Sequence, residues 1–278
     1  MRRSMTVVCL ALMLGVGISH AEPAEDGIHP YRRLEDGLQA YHRGDYANAM
    51  KWYGIAAEQG NFAAQYFLGL MYYEGKGVPQ DYVHAMKWFR LAAEQSFSLA
   101  QSDLGDMYAE AKGVPQDFVE AVKWFRLAAE QGVSTAQANL GWMYDRGKGV
   151  PQDYAQAVKW FRLAAEQGNS ASQFNLGLMY DTGRGVPQDF VEALKWYRLA
   201  AEQGFTVAQT NLGVTYAEGK GVPQDYVQAH MWFNLAGAGT SDVEMRKRAV
   251  DARDALAKKM TAAQIAEAQR LARERKPE

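Results

Sequence analysis

Apolar residues recur along this chain with two superposed periods. Inside short segments they return every three or four positions, as at Ala85, Trp88 and Ala92, which is the spacing of one face of an α-helix. Between segments the text itself returns. Pro79, Pro115, Pro151, Pro187 and Pro223 are 36 residues apart, and so are Trp52, Trp88, Trp124, Trp160, Trp196 and Trp232. A fixed period of this size predicts a repeat protein, in which each unit buries its apolar face against its neighbours.

Each repeat reads as two helices, A and B. Ala64-Gln65, Leu68-Gly69 and Met71-Tyr72 open helix A; a glycine loop and Pro79 end it; Asp81 starts helix B. The aspartate side chain can accept from the free amides of the first helical turn and suits the positive end of the helix dipole. Gly75 and Gly77 permit positive φ in the loop, and Pro79 stops helix A from running on. Gly132, Gly168 and Gly204 stand where helix B ends in a left-handed residue. Between the helices, Gly69 and Ala92 are small where the backbones approach, and Leu68, Tyr72 and Trp88 are expected to fill the space.

The ends depart from the period. Residues 31–42 and 46–59 form a first helix pair with a shorter loop, in which Gly37-Leu38-Gln39-Ala40-Tyr41 resembles an ordinary tetratricopeptide repeat. Residues 241–278 are expected to form capping helices, with a capping box at Thr261 and Gln264. Over residues 64–239, the text Ala-x-x-x-Leu-Gly-x-Met-Tyr, Gly-x-Gly-Val-Pro-Gln-Asp and Ala-x-Lys-Trp-Phe-Arg-Leu-Ala-Ala-Glu-Gln-Gly resembles the Sel-one-like repeat, a relative of the tetratricopeptide repeat. Ala111, Ser96, Ser172 and Thr215 depart from that text, and His230-Met231 and Asn234 depart in the last unit. The resemblance implies an all-α fold, a right-handed α/α superhelical solenoid of stacked antiparallel helix pairs over residues 31–240.

The first 21 residues carry a different signal. Arg2 and Arg3, an apolar run over residues 6–18, and Ser19-His20-Ala21 before Glu22 read as a secretory signal peptide cleaved after Ala21. Residues 22–30 read as a flexible leader. The expected location is therefore periplasmic or secreted, with no integral membrane segment after cleavage. Cys9 is the only cysteine, so the mature chain would have to hold together by core burial without disulfides. Without Arg2 and Arg3, 28 basic residues face 32 acidic ones with no basic stripe, which argues against nucleic acid as a partner.

Candidate chemistry is sparse. The glycine loop lacks the Lys-Ser/Thr of a phosphate-binding P-loop and recurs in every unit, unlike a single catalytic site. Asp81, Asp117, Asp153, Asp189 and Asp225 are helix caps that stacking would hold about 10 Å apart, too far to share a metal. His29, His42, His84 and His230 follow no ligand spacing. No nucleophile elbow or Ser-x-x-Lys motif is present, and the paired cysteines of β-lactamase-like relatives are missing. The reading is thus a non-catalytic scaffold without cofactor or metal that binds another protein, in envelope assembly, signalling or host-factor binding. The alternative is a cell-wall or polysaccharide-associated binding protein or hydrolase, with aromatic side chains stacking on sugars.

The binding face follows from comparing the repeats with one another. Positions shared by all units serve stacking, and the variable ones in helix A are free for a partner. These give Tyr66, Leu70 and Tyr73 in the first unit, then Asp106, Trp142, Asp145, Phe174, Leu178 and Asp181. Their offsets of four and three put them on one helical face, and the resemblance implies that this face lines the concave groove. Trp142 is the one tryptophan off the 36-residue beat, and Asp106, Asp145 and Asp181 suggest an acidic border for a basic or mixed polar segment docking across Trp142, Phe174 and Tyr66.

Overall fold

The structure is a computed structural model and describes residues 30–275. The signal segment, the leader before Pro30, Cys9 and His29 lie outside the described residues. Fourteen helices and no strand occur among them: α1 Pro30–His42, α2 Tyr46–Glu58, α3 Phe62–Glu74, α4 Tyr82–Glu94, α5 Ser98–Glu110, α6 Phe118–Glu130, α7 Ser134–Arg146, α8 Tyr154–Glu166, α9 Ser170–Thr182, α10 Phe190–Glu202, α11 Thr206–Glu218, α12 Tyr226–Ala238, α13 Val243–Ala257 and α14 Ala262–Glu274. The chain divides into two compact units between Ala92 and Ala93. In each, successive helices pack as antiparallel A and B pairs.

Pairs close where an aromatic ring of helix B sits on a bare glycine of helix A. In the second unit a Cβ on Gly141 would stand 2.7 Å from Phe161, one on Gly105 2.5 Å from Phe125, and one on Gly177 2.7 Å from Tyr197. In the first unit Gly69 and Phe89 repeat the contact at 2.6 Å, and Gly37 and Tyr53 at 2.5 Å. Carbon atoms pack at about 3.5–4.0 Å, so no side chain fits there. This corrects the expectation for Trp88, which is half-buried while its neighbour Phe89 takes the interhelix space at 1% exposure. Trp52, Trp124 and Trp196 are likewise half-buried, and only Trp160 and Trp232 of the periodic tryptophans are buried.

The loops are held by their own side chains. Asp117 caps α6 by accepting from the amides of Val119 (2.9 Å) and Glu120 (3.0 Å), and Asp153, Asp189 and Asp225 cap α8, α10 and α12 in the same way. The Asp153 amide donates to the Tyr144 carbonyl at 3.0 Å, and the Gln152 amide group donates to the Asp145 carbonyl at 2.7 Å, so the loop folds back on the end of α7. Gly149 lies at φ +70 against the Phe118 carbonyl of the preceding repeat, where a Cβ would overlap the backbone. Ala111 holds the left-handed position at φ 58 that Gly147, Gly183 and Gly219 hold in their own loops.

Repeats join through buried glutamines. Gln137 donates to the Ala129 carbonyl (3.1 Å) near the end of α6, and Gln167 donates to Gln137 Oε1 (2.8 Å). Gln173, Ala165 and Gln203 repeat this arrangement one unit on. Outside it, Arg126, Arg162 and Arg198 donate to the hydroxyls of Tyr144, Tyr180 and Tyr216, each in the following repeat.

At the end of the second unit, α13 and α14 cover α12, and Leu256, Ala268 and Ala272 enter its core. Met231, at a position where other repeats carry an exposed lysine, is fully buried as a result. The capping box is present, with Thr261 Oγ1 accepting from the Gln264 amide (3.3 Å) and Gln264 Oε1 from the Thr261 amide (2.8 Å).

Two substitutions test this scheme. Gly141→Ala is expected to cost about 1–3 kcal/mol in chemical denaturation, because the methyl group meets Phe161. In an open helix the same change would stabilise by about 1 kcal/mol. An unchanged or raised midpoint would remove the ring from the notch, and adding Phe161→Leu is expected to recover part of the loss. Ala111→Gly is expected to stabilise by about 0.5–1 kcal/mol by relieving the left-handed conformation; a fall in stability would count against that strain.

Candidate partner-binding face

The variable positions of helix A divide into a buried part and an open part. Tyr66 is 1% exposed, with its ring 5.5 Å from Phe89 and 5.8 Å from Phe67, so it belongs to the core of the first unit and cannot meet a partner. Its equivalent in the next repeat, Ser102, is fully buried too. The first of the three predicted positions thus turns inward at these repeats, where helix B of the pair packs closest. Leu70 and Tyr73 in the same unit are half-buried, and the Tyr73 ring meets Tyr82 edge-on at 5.2 Å.

The second unit keeps an open row. Asp106, Trp142, Leu178 and Val214 occupy one register position on α5, α7, α9 and α11. Trp142 is 39% exposed and Val214 37%, the two exposed large apolar side chains on the described helices A of this unit, while its helices B expose Val119, Leu127, Val191 and Leu199 at least as much. Leu178 is half-buried. Phe174 is half-buried and engaged, with its ring 5.7 Å from Tyr197 and 5.6 Å from Phe205. The aromatic surface therefore narrows to Trp142.

The acidic border already has partners within the chain, and only its Asp145 is both buried and ion-paired. Asp106 Oδ1 accepts from Asn139 at 2.8 Å. Asp181 accepts from the Tyr197 hydroxyl at 3.2 Å, and burial together with the Asp181 carboxylate pushes that phenol above its ordinary range. Asp145 is only 9% exposed and pairs with Arg146 (3.2 Å) and Arg184 (3.7 Å). Arg146, Arg184 and Asn139 are the residues that reading variable apolar and acidic positions passed over. The signal was present in the text, since Arg146 stands where other repeats carry Glu74, Glu110 and Glu218.

Among the described residues no group of three metal-ligating side chains forms. His84 pairs with Asp81 at 2.7 Å, and His230 is buried, with burial foremost and Arg253 second in holding its pKa below the ordinary value. No helix among the described residues is long and apolar enough to cross a membrane.

The Sel1 repeat family's profile matches residues 32–61, 62–97, 98–133, 134–169, 170–205 and 206–240. The chain belongs to the Sel1 repeat family. The first helix pair, whose text is closer to a tetratricopeptide repeat, counts as the first Sel1 repeat. A Sel1 repeat protein from Oxalobacter formigenes is 36% identical and superposes with a TM-score of 0.71, over 76% of this chain and 87% of that one. The structure of c5321, a protective antigen present in uropathogenic Escherichia coli strains and displaying an SLR fold, is 33% identical with a TM-score of 0.60, over 90% of this chain and 61% of that one. No relative with a curated function matches the chain. The Sel1 repeat is an all-α repeat fold of protein–protein interaction, in general without catalysis.

Proposed function

We propose that this Sel1 repeat protein is an exported, non-catalytic scaffold that holds a segment of another protein in the groove formed by helix A of its second unit, with Trp142 as the anchor. The observation that supports this most is the 39% exposure of Trp142, in register with Leu178 and with Val214 at 37%. A large aromatic residue bordered by aliphatic ones, with polar groups at its rim, is the composition of an interface centre. Sugar stacking is less well supported, because of the two other aromatic residues read as partner-facing, Tyr66 is buried and Phe174 is half-buried against Tyr197 and Phe205. Export rests on the Arg2-Arg3 start, the apolar run and Ser19-His20-Ala21. A relative that is a protective antigen fits a product met outside the cytoplasm.

Binding is tested with a partner isolated on the full chain from an envelope extract and then purified. Trp142→Ala is expected to weaken its affinity by about 2 kcal/mol, roughly thirtyfold, while leaving the thermal midpoint unchanged. Equal affinity for both forms, or early unfolding of the variant, would remove Trp142 from the interface. Purified peptidoglycan and exopolysaccharide serve as competing ligands, and saturable binding to either at Trp142 would favour the polysaccharide reading.

Export has its own measurement. The mass of the protein recovered from a periplasmic fraction is expected to correspond to a chain beginning at Glu22, and a mass that includes Met1 would refute cleavage.

A further inference from the structure

The loop that follows helix A carries a charge pair in three repeats. Glu110 meets Lys112 at 2.7 Å and Glu218 meets Lys220 at 2.6 Å in the second unit, and Glu74 meets Lys76 at 2.7 Å in the first. The two repeats between Glu110 and Glu218 break the rule, with Arg146 and Thr182 where the glutamate would stand. Lys148 then has no carboxylate within ion-pair distance among the described residues, and its ammonium rests over the Phe118 ring at 5.2 Å.

Two residues earlier in the chain than Lys148, Arg146 converges with Arg184 of the next repeat on one carboxylate. Arg146 Nε lies 3.2 Å from Asp145 Oδ2, and Arg184 Nη1 lies 3.7 Å from Asp145 Oδ1. Arg184 is steadied by the Tyr154 ring at 5.5 Å and by a hydrogen bond from its Nε to Thr182 Oγ1 at 3.2 Å. Asp145 is the one carboxylate within ion-pair distance of Arg146, Lys148 or Arg184 among the described residues, so the cluster is net positive. Each guanidinium has five N–H donors, and the contacts above use few of them. Arg146 stands one helical turn beyond Trp142 on the same face of α7, with its side chain 61% exposed.

We propose that Arg146, Lys148 and Arg184 form a carboxylate-reading site that takes an aspartate or glutamate side chain of the bound segment, next to the apolar residue resting on Trp142. This rests on the groove reading above and reverses the sign of the partner expected from Asp106, Asp145 and Asp181. A guanidinium fork matches the two oxygens of a carboxylate, and both Arg146 and Arg184 lie within ion-pair distance of Asp145, whose Oδ1 makes no hydrogen bond. The exposure of Arg146 makes the contribution sensitive to salt.

The test is selection of a displayed library of random short peptides on the immobilised full chain, on its Trp142→Ala variant, and on the double variant Arg146→Glu/Lys148→Glu. The wild-type chain is expected to enrich apolar residues flanked by Asp or Glu, and the double variant apolar residues flanked by Lys or Arg. A synthetic peptide of the wild-type class should bind at least about tenfold tighter than its Gln and Asn counterpart at low salt, with the gap closing at high salt. The proposal is overturned if wild-type peptides show no acidic excess, or if the double variant, with an unchanged thermal midpoint, selects the same acidic peptides. Should the double variant unfold early, Arg146→Gln/Lys148→Gln takes its place, and retained preference for acidic peptides then overturns the proposal. If the wild-type chain enriches nothing beyond Trp142→Ala, the groove reading itself fails and the carboxylate site with it.

Discussion

An aromatic ring of helix B lying on the bare α-carbon of a helix A glycine sets the spacing inside every pair. Because Phe125, Phe161 and Tyr197 each reach where a Cβ would stand, the two helix axes are held closer than ordinary side chains allow. The contact also fixes rotation. Helix A must turn Gly105, Gly141 or Gly177 toward its partner, and this decides which of its other residues face outward.

Hydrogen bonding then locks one pair to the next. Gln137 and Gln173 leave a buried side chain satisfied only when the preceding helix B presents its Ala129 or Ala165 carbonyl at the right depth. A slip would strand both donor and acceptor away from water, so burial enforces register more strictly than apolar packing alone does. The regular rows of side chains on α5, α7, α9 and α11 are a consequence of that register.

On this lattice the middle of the second unit is where repetition is relaxed. Trp142 is exposed, Glu gives way to Arg146 and Thr182, and Asp145 is drawn between Arg146 and Arg184. Trp142 and Arg146 share one face of α7, whereas Asp145, one turn from Gly141, lies on the side of the glycine notch, as Asp181 does where it accepts from Tyr197. A solenoid can vary such a face repeat by repeat, and its specificity is carried there.

The sequence by itself determined the helix pairs, the Asp caps and the C-terminal capping box, since period, cap residues and turn glycines act over a few neighbouring positions. It also isolated Trp142, because a residue off a strict beat stands out without coordinates. Only the tertiary structure decided that Phe89 fills the pair while Trp88 is left half-exposed, that Tyr66 is core, and that Asp106, Asp145 and Asp181 are engaged by Asn139, Arg146, Arg184 and Tyr197. The reason is physical. Helical spacing assigns a residue to a face but not to a depth, and a charge acts through the groups that other elements bring beside it; Arg184 reaches Asp145 across 39 positions of sequence.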